Sequence, residues 1–418
     1  MNVLVLGSGG REHTLARAIA RSPKLGRLFV LPGNAGTAPL GRNLDGDLAD
    51  LDGLVAIAQE HRIDLTVVGP EAPLCAGVVD RFTDEGLRIF GPRRAAARLE
   101  GNKAYAKELM NRALVPTATA RTFEDFDSAK TYVATRDCAL VVKASGLAAG
   151  KGVIICDEPA DAILALERIM LEGRFGDAGK TVLVEERLTG PEISVLALVD
   201  GNTIYLLETA QDFKKIGAGD TGLNTGGMGA VSPAPAATDD ILERVQTEVF
   251  VPVVDALRAD GVTYRGVLYA GLILTAAGPK VLEFNCRFGD PEAQVILPRI
   301  RSDFLELLDA CTTGRLHEAS IDWDPRCAVC VVMASGGYPG AYEKGKTITG
   351  LAEADGLTDV IVYHAGTATA GDRVVTAGGR VLGVAALGPD VAAARTRTYE
   401  AVERITFEGA YSRPDIAT

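Results

Sequence analysis

The stretch VLEFNCRFGDPE, residues 281–292, joins a strand-like run to a row of polar side chains. Side chains on a β-strand point to opposite faces in turn, so the apolar even-numbered positions of 282–288 predict one buried face. The opposite face then carries Glu283, Asn285 and Arg287. This alternation predicts a strand that holds a polar ligand against one of its faces.

The polar face offers groups that suit a metal ion and an anion. Glu283 and Asn285 supply hard oxygen atoms, and Mg²⁺ is usually held by one or two carboxylates together with substrate phosphates and water. Arg287 suits bidentate binding of a phosphate or carboxylate. The alternative is a ladder of surface ion pairs, which the apolar opposite face and the tight turn Gly289-Asp290-Pro291 disfavour.

Composition limits the class of protein. The chain has 418 residues, 47% of them hydrophobic and 23% charged, so we expect two to four globular domains. The formal net charge of −12 and the pI of about 5.0 argue against a nucleic-acid partner, which requires a basic face. A small anionic ligand remains compatible with this charge, because a few local Lys, Arg and backbone N–H groups suffice to bind it.

We expect no membrane partner and a cytoplasmic location. No run of about 18 apolar residues occurs, and Met1 leads directly into a strand-like segment that does not resemble a secretory leader. The seven cysteines are scattered, which is typical of buried, reduced thiols. Cys327 and Cys330 form a C-x-x-C pair inside an apparent strand, where their side chains face opposite ways, so we expect neither a metal nor a redox site there.

Element patterns predict an α/β protein with three domains. Over residues 1–100, short apolar runs alternate with helical patterns, which predicts a parallel sheet covered by helices. Residues 101–320 instead contain strand pairs around glycine-rich loops, and we expect the glycine-rich segment 211–233 to be a long, structured loop. Residues 321–418 predict a small α+β domain.

Three loops of the first domain predict a phosphate-bearing ligand. The segments GSGGREH (7–13), PGNAGT (32–37) and GPEAP (69–73) each follow an apparent strand. In an open parallel sheet, ligands bind outside the carboxyl ends of the strands, and glycine-rich backbone offers N–H groups to phosphate. A nicotinamide dehydrogenase is a weaker alternative, because Glu12 stands where the dinucleotide fingerprint needs its third glycine.

The central domain carries features of a nucleotide site. SGLAAGKGV (145–153) is not a P-loop, because Gly152 stands where Ser or Thr is needed and the segment joins two strands; it predicts a flap over phosphates. Lys143 lies in an apolar strand, where an ammonium group is costly unless paired, and a phosphate would pair with it. Glu185 and Glu186 at a strand end suit an adenine hinge and ribose hydroxyls, a weak signal by itself.

Eight segments resemble motifs of one family, in its order, over nearly the whole chain. They are GSGGREH, PGNAGT, GPEAPL, GLAAGKGV, DTGLNTGGMGA, EFNCRFGDPE, GGYPG and YHAGT. In this order of flap, hinge and metal strand the sequence resembles ATP-grasp enzymes, and among them the phosphoribosylamine–glycine ligases, also called glycinamide ribonucleotide synthetases. The resemblance implies an ATP-grasp fold for residues 101–320, with its flap near 143–155 and its metal strand at 281–288.

The resemblance also implies roles for individual residues. Catalysis would involve Arg287, Lys143 and Asp212, and Mg²⁺ or Mn²⁺ would bind Glu283 and Asn285. ATP would contact Lys103, Lys143, Gly146, Gly150, Lys151, Gly152, Glu185, Glu186, Leu188 and Glu192. Phosphoribosylamine would contact Gly9, Gly10, Arg11, Glu12, Gly33, Asn34, Ala35, Gly36, Thr37, Pro70 and Glu71. Glycine and the acyl phosphate would contact Asp212, Asn224, Thr225, Gly226, Gly227, Met228 and Arg287, and Asp290 would also bind substrate.

The implied reaction is the ATP-dependent ligation of glycine to 5-phosphoribosylamine, through glycyl phosphate, in purine biosynthesis. We expect a monomer or a weak dimer. The alternatives are another ATP-grasp ligase or carboxylase and a nucleotide-binding regulatory module without turnover. Ser145, Phe213, Leu223 and Asn102 depart from the family pattern without removing a phosphate or metal ligand. For His13 and His364 we expect structural hydrogen bonds, and a part in proton transfer is the alternative.

Overall fold

The fold is described by a computed structural model that covers residues 1–148 and 150–418. Its N-terminal strands are β1 Asn2–Gly7, β2 Arg27–Pro32, β3 Arg42–Asn43, β4 Leu65–Val68 and β5 Ile89–Phe90. Its helices are α1 Gly10–Ala20, α2 Leu51–Glu60, α3 Glu71–Ala76, α4 Val78–Asp84 and α5 Arg94–Gly101. The strands pair in parallel in the order β3-β2-β1-β4-β5, which confirms the predicted parallel sheet.

The loops after β1 and β4 meet at the carboxyl edge of this sheet. Glu12 lies between them, and a Cβ atom at Gly7 or Gly69 would overlap its side chain. The Glu12 carboxylate accepts hydrogen bonds from the Gly9 N–H at 2.6 Å and from Arg11 Nε at 2.6 Å. Glycine is therefore required at these positions because a buried carboxylate fills the space beside the backbone.

Residues 93–115, RRAAARLEGNKAYAKELMNRALV, have the sequence pattern of one helix, but the structure divides them into two helices. Helix α5 ends at Gly101, and α6 Lys103–Arg112 begins after Asn102, whose side-chain oxygen accepts the Tyr105 N–H at 2.9 Å. Asparagine favours this N-cap position because it satisfies a free backbone donor of the first turn. The break turns the chain from the N-terminal sheet into the central region.

The central region contains two antiparallel sheets with the segment 187–191 between them. The elements of the first sheet and its helices are β6 Ala120–Phe123, α7 Phe126–Ala134, β7 Leu140–Ala144, β8 Val153–Cys156, α8 Pro159–Leu166 (continued by a π-helical turn Glu167–Leu171), a 3₁₀ turn Gly176–Gly179 and β9 Val182–Glu186. The strands of this sheet have the order β6-β9-β7-β8. Strands β7 and β8 pair as the predicted flap hairpin. The next strand, β10 Glu192–Val199, already belongs to the second sheet, so the predicted hinge lies between the two sheets.

The second central sheet has the order β11-β10-β16-β17. Its elements after β10 are β11 Ile204–Leu206, α9 Asp239–Val245 (continued by a π-helical turn Gln246–Phe250), α10 Val251–Ala259, β16 Gly266–Thr275 and β17 Gly278–Asn285, followed by α11 Ala293–Ile296, a 3₁₀ turn Leu297–Arg299, α12 Phe304–Thr313 and a 3₁₀ turn Leu316–Glu318. The predicted metal strand thus corresponds to β17, the last strand of this sheet.

The alternation predicted for residues 281–288 is interrupted by a bulge. Gly271 pairs with Glu283, whereas Leu272 pairs with Val281, so Leu282 is an extra residue in β17. Val281 and Phe284 therefore both pack in the core, while Leu282 lies half-buried beside the cleft. A bulge re-aims side chains and frees backbone groups, and here the Leu282 carbonyl accepts a hydrogen bond from Lys143 Nζ at 3.0 Å.

The glycine-rich segment 211–233 differs from the predicted long loop, because it contains short strands. They are β12 Gln211–Asp212, β13 Lys215–Gly217, β14 Thr221–Asn224 and β15 Gly229–Ser232. Strands β13 and β14 form a small hairpin, and β15 pairs with a strand of the C-terminal region. Pairing of β12 with β15 and of β13 with β14 inside the segment, and of β15 with a C-terminal strand, gives the segment its order, which its glycine content does not reveal.

The C-terminal region is an antiparallel sheet covered by a helix. Its elements are β18 Cys327–Ala334, α13 Leu351–Asp355, β19 Val360–His364, β20 Thr367–Ala370, β21 Arg373–Thr376, β22 Arg380–Gly388 and α14 Val391–Val402. The sheet order is β12-β15-β18-β22-β19, and β20 and β21 form a separate hairpin. This mixture confirms the predicted α+β class for the C-terminal region.

Asn34 links the N-terminal and C-terminal regions. Its buried amide donates to the Ser8 carbonyl at 2.9 Å and to the His364 carbonyl at 2.9 Å, and its oxygen accepts the Gly36 N–H at 2.8 Å. One side chain therefore joins the loop after β1, the loop after β2 and the end of β19.

We expect Asn34→Ala to lower the free energy of unfolding by about 1–3 kcal/mol or more, because it leaves buried backbone groups without partners. Urea unfolding of the whole chain measures the change. Asn111→Ala is the control, since Asn111 lies exposed on α6. An Asn34→Ala midpoint equal to that of the control would contradict the assigned structural role.

Candidate active site

A cleft of about 810 Å³ lies between the two central sheets and reaches residues of both terminal regions. Most of the side chains and loops that the sequence singled out line it. They are Arg11, Glu71, Lys103, Lys143, Gly150, Gly152, Glu185, Glu186, Leu188, Glu192, Asp212, Asn224, Thr225, Gly226, Glu283, Asn285, Arg287 and Asp290. The fold therefore brings together groups that are separated by up to 279 positions in the sequence, from Arg11 to Asp290.

Glu283 and Asn285 present oxygen atoms to this cleft. Burial opposes ionisation of Glu283, but the positive charges of Lys214, Lys103 and Lys143 outweigh it and lower its pKa. Neither side chain has a hydrogen-bond or ion-pair partner within residues 1–148 and 150–418. An ionised carboxylate and an amide oxygen that both remain available are a donor set that fits a divalent cation.

Lys143 is held by a carboxylate at the end of β9. Its Nζ lies 2.7 Å from Glu185 Oε2, so the partner that its apolar strand requires is Glu185 in this structure. Glu185 also contacts Lys107 Nζ at 3.0 Å, and Lys107 donates further to Thr117 Oγ1 at 2.7 Å and to the Ala118 carbonyl at 3.1 Å. The two lysines thus share one buried carboxylate.

Sequence reasoning missed Lys107, although a signal was available. Lys103 and Lys107 are four residues apart on α6, so they lie on one face of the helix. Lys103 Nζ donates to the Gly146 carbonyl at 3.3 Å at the base of the flap. Burial lowers the pKa of both ammonium groups, although nearby carboxylates oppose this effect.

Arg287 is compensated by two carboxylates from the N-terminal region. Its Nη2 lies 2.7 Å from Glu100 Oε1, and its Nε lies 3.2 Å from Glu71 Oε2. Burial raises the pKa of Glu100, against the opposing effect of Arg287. Glu100 also accepts the Cys286 N–H at 2.8 Å, so it fixes the chain next to Arg287. Sequence reasoning missed Glu100 because it lies in a helix 187 positions away.

Asp212 lies in a cluster of charges on the other wall of the cleft. Lys214 Nζ is 3.0 Å from Glu192 Oε2 and 4.0 Å from Asp212 Oδ1, so it binds Glu192 more closely. Burial raises the pKa of Asp212 to about 7, although the Lys214 charge opposes this shift. The attraction of Asp212 and Glu192 overcomes burial and raises the pKa of Lys214. Lys214 was also missed by sequence reasoning.

Glu292 and Arg380 complete the set of missed residues. Glu292 Oε1 accepts the Tyr269 hydroxyl at 2.6 Å, which fixes a buried carboxylate beside Asp212. Arg380 begins β22 in the C-terminal region and its side chain lines the cleft. The sequence around Arg380 does not predict a functional residue, because the contacts of Arg380 result from the pairing of β22 with distant strands.

Some of the predicted site residues do not line the cleft, and two of them have side chains that are buried elsewhere. Thr37 is fully buried and its hydroxyl bonds Asn43 at 2.8 Å, and Met228 packs in the C-terminal core. The residues that do not line the cleft are Gly9, Gly10, Glu12, Gly33, Asn34, Ala35, Gly36, Thr37, Pro70, Gly146, Lys151, Gly227 and Met228. Ligand contacts at these positions stay predictions.

His13 and His364 lie together outside the cleft. The His364 N–H donates to His13 Nδ1 at 2.8 Å, and His364 Nδ1 is 3.1 Å from Thr367 Oγ1. Burial lowers the pKa of His13 to about 3, and the charges of His364 and Arg17 act in the same direction. Burial also lowers the pKa of His364, to about 4. Both rings are therefore neutral at pH 7 and hold loops by hydrogen bonds, as expected.

Three domain families match the chain in sequence order. Residues 1–100 match "Phosphoribosylglycinamide synthetase, N domain", residues 101–293 match "Phosphoribosylglycinamide synthetase, ATP-grasp (A) domain", and residues 328–418 match "Phosphoribosylglycinamide synthetase, C domain". Together they span most of the 418 residues.

Two curated relatives are similar over the full length. A phosphoribosylamine–glycine ligase of Rhodopirellula baltica is 51% identical over 423 residues, covering 100% of this chain and 97% of that protein. A phosphoribosylamine–glycine ligase of Yersinia pestis is 50% identical over 420 residues, covering 100% of this chain and 98% of that protein.

Solved structures share the architecture. The crystal structure of phosphoribosylamine–glycine ligase from Thermotoga maritima superposes with a TM-score of 0.86 at 33% identity and covers 100% of both chains. The biotin carboxylase domain of the Hydrogenobacter thermophilus 2-oxoglutarate carboxylase has a TM-score of 0.76 at 18% identity, covering 98% of this chain and 91% of that one, and shows the fold alone.

Among the helices of residues 1–148 and 150–418, none has the length and apolarity needed to span a bilayer.

The raised pKa of Asp212 predicts a pH dependence. The carboxylate is neutral below about pH 7 and charged above it, so we expect kcat/KM for ADP release to rise with pH around a midpoint near 7. Lys214→Met removes the charge that lowers this pKa and should move the midpoint to higher pH.

Lys344→Met is the matched control, because Lys344 is exposed in the C-terminal region. A pH profile of Lys214→Met that coincides with those of the control and the unmodified enzyme would show that Asp212 does not determine the midpoint.

Proposed function

The chain belongs to the phosphoribosylglycinamide synthetase family of phosphoribosylamine–glycine ligases, and from this premise we propose how its residues carry out the reaction. It is an ATP-dependent carbon–nitrogen ligase of purine biosynthesis that joins glycine to phosphoribosylamine. The assignment of individual residues rests on one observation: Glu283, Asn285 and Arg287 face the same cleft as Lys103 and Lys143.

ATP lies between the two central sheets in this proposal. The flap residues Gly146, Gly150, Lys151 and Gly152 cover its phosphates, while Lys103 and Lys143 offset their charge. Lys143 leaves Glu185 when the triphosphate arrives, and the Glu185 carboxylate stays compensated because Lys107 remains bound to it at 3.0 Å. Phosphoryl transfer needs alignment and charge neutralisation more than covalent help from the protein.

The nucleoside occupies the segment between the sheets. Glu185, Glu186 and Leu188 line the adenine, at the last two residues of β9 and in the segment that follows it. Glu192 contacts the ribose, and Lys214 holds its carboxylate at 3.0 Å.

ATP-grasp enzymes use a divalent cation with ATP, and we assign this cation to Glu283 and Asn285 as Mg²⁺ or Mn²⁺. The bound cation would offset the negative charge of the phosphates. The lowered pKa of Glu283 supports the assignment, because the lysines keep the carboxylate charged over the working pH range.

Glycine binds between Arg287 and Asp212. The guanidinium group suits the glycine carboxylate, and the Asp212 carboxylate suits the ammonium group. Residues 224–228 form the wall of this site, and Asn224, Thr225 and Gly226 are the members that line the cleft. The glycine carboxylate attacks the γ-phosphorus of ATP, which gives glycyl phosphate and ADP. The amine of phosphoribosylamine then attacks the acyl carbon, the C–O bond to phosphate breaks, and inorganic phosphate leaves. The closed flap and the glycine-rich wall exclude water that would hydrolyse glycyl phosphate.

Phosphoribosylamine approaches from the N-terminal sheet. Arg11 and Glu71 line the cleft, and residues 9–12, 33–37 and 70–71 follow β1, β2 and β4 at the carboxyl edge of the sheet. The N-terminus of helix α1 at Gly10 offers backbone N–H groups to the sugar phosphate. Asp290 lies between this side and the glycine wall.

We further propose domain boundaries near residues 100 and 320 and a cytoplasmic location. Reduced cysteines support the location, because all seven are free in the structure. The monomer or weak dimer expected from the sequence stays a prediction.

We expect Glu283→Ala to reduce metal-dependent turnover by at least about 100-fold with the fold intact, because it removes the only carboxylate assigned to the cation. Steady-state ADP release measures the effect, and circular dichroism checks the fold. Glu243→Ala, an exposed residue of α9, is the control. Glu283→Ala activity within about threefold of the control contradicts the metal assignment.

We expect Arg287→Lys to reduce kcat and raise the glycine KM, because lysine keeps the charge but loses the planar pair of donors. Both constants come from titrating glycine at saturating ATP. Unchanged constants in the folded variant would place Arg287 away from the reacting group.

A further inference from the structure

Arg380 extends from the C-terminal sheet to the glycine wall of the cleft. Its Nη1 donates to the Gly226 carbonyl at 2.6 Å and to the Asp290 carbonyl at 2.8 Å. The same nitrogen is 3.4 Å from the Gly227 carbonyl, and Nη2 is 3.3 Å from Asp290 Oδ2. One guanidinium group therefore bridges the wall 224–228 and the turn that follows the metal strand.

Tyr338 holds the same part of the wall from a second position. Its hydroxyl accepts the Gly226 N–H at 3.1 Å, so both backbone groups of Gly226 bind C-terminal side chains. A Cβ atom at Gly379 would overlap the Tyr338 ring, so the residue before Arg380 leaves space for that ring. The segment GGYPG, residues 336–340, thus contacts the wall through Tyr338, and its sequence alone does not predict this contact.

The wall and the turn are in close contact where the guanidinium group binds. A Cβ atom at Gly226 would lie 2.9 Å from Arg380 Cζ, and one at Gly227 would overlap the Pro291 ring. Burial opposes ionisation of Asp290, but nearby positive charges, that of Arg380 first among them, lower its pKa and keep it ionised. The backbone of residues 226–227 is therefore held at a fixed position relative to Asp290, three residues after Arg287.

We propose that Arg380 and Tyr338 are positioning residues for glycine, which hold the wall 224–228 in the conformation that receives it. The inference rests on the proposed function, since it concerns the glycine site of that reaction. Holding the loop before binding removes the entropy loss of ordering it, so the two side chains increase the affinity for glycine without contacting the reacting atoms.

Arg380→Lys tests the proposal, because it keeps a positive charge but loses the fork that reaches two loops. We expect the glycine KM to rise about tenfold or more, as for loss of hydrogen bonds from a charged donor, while the KM values for ATP and phosphoribosylamine stay within about threefold. Tyr338→Phe removes one neutral hydrogen bond and should raise the glycine KM about threefold.

Arg373→Lys is the matched control, because Arg373 lies on the exposed β21 hairpin of the same region. Thermal unfolding of each full-length variant shows whether it is folded. An unchanged glycine KM in either folded variant overturns the proposal, and so does a rise in the phosphoribosylamine KM alone, which would make Arg380 a ligand of that substrate. Unmodified enzyme whose ADP release needs no glycine would overturn the proposed function itself.

Discussion

The ion pairs of Arg287 with Glu100 and Glu71 are the contacts on which the site depends. They join the chain directly after strand β17 to helices α3 and α5 of the N-terminal region. Removing one partner of a buried ion pair typically costs about 3–5 kcal/mol, because the other charge is left uncompensated. The chain at the end of β17 is therefore held against helices of the N-terminal region, and in the proposed reaction glycine and phosphoribosylamine meet at this place.

The same principle applies to the other charged groups of the cleft. Lys143 and Lys107 share Glu185, and Lys214 binds Glu192, so each of these three lysines has a carboxylate partner in the structure. In the proposed mechanism, the triphosphate replaces Glu185 as the partner of Lys143. This exchange would let a chain with a formal net charge of −12 bind a polyanionic substrate in its interior.

The sequence predicted the elements whose signal is local. Alternating strands and helices predicted the parallel sheet, and the alternating polar side chains after Val281 predicted a strand that presents Glu283 and Asn285 to a cleft. It did not reveal the bulge at Leu282, the strands within 211–233, or the roles of Glu100, Lys107 and Arg380. These features depend on the details of strand pairing and on side-chain contacts in the folded chain, which periodicity and local composition do not report. The placement of Asn34 shows the same limit, because its amide binds the backbone of two regions.

The most direct test of the account is the release of ADP with Mg²⁺ when glycine and phosphoribosylamine are supplied singly and together. The account predicts rapid release only with both substrates, and one ADP for each glycinamide ribonucleotide formed. Rapid ADP release with neither substrate present, or no release with both, would contradict the placement of both acceptor sites in the cleft.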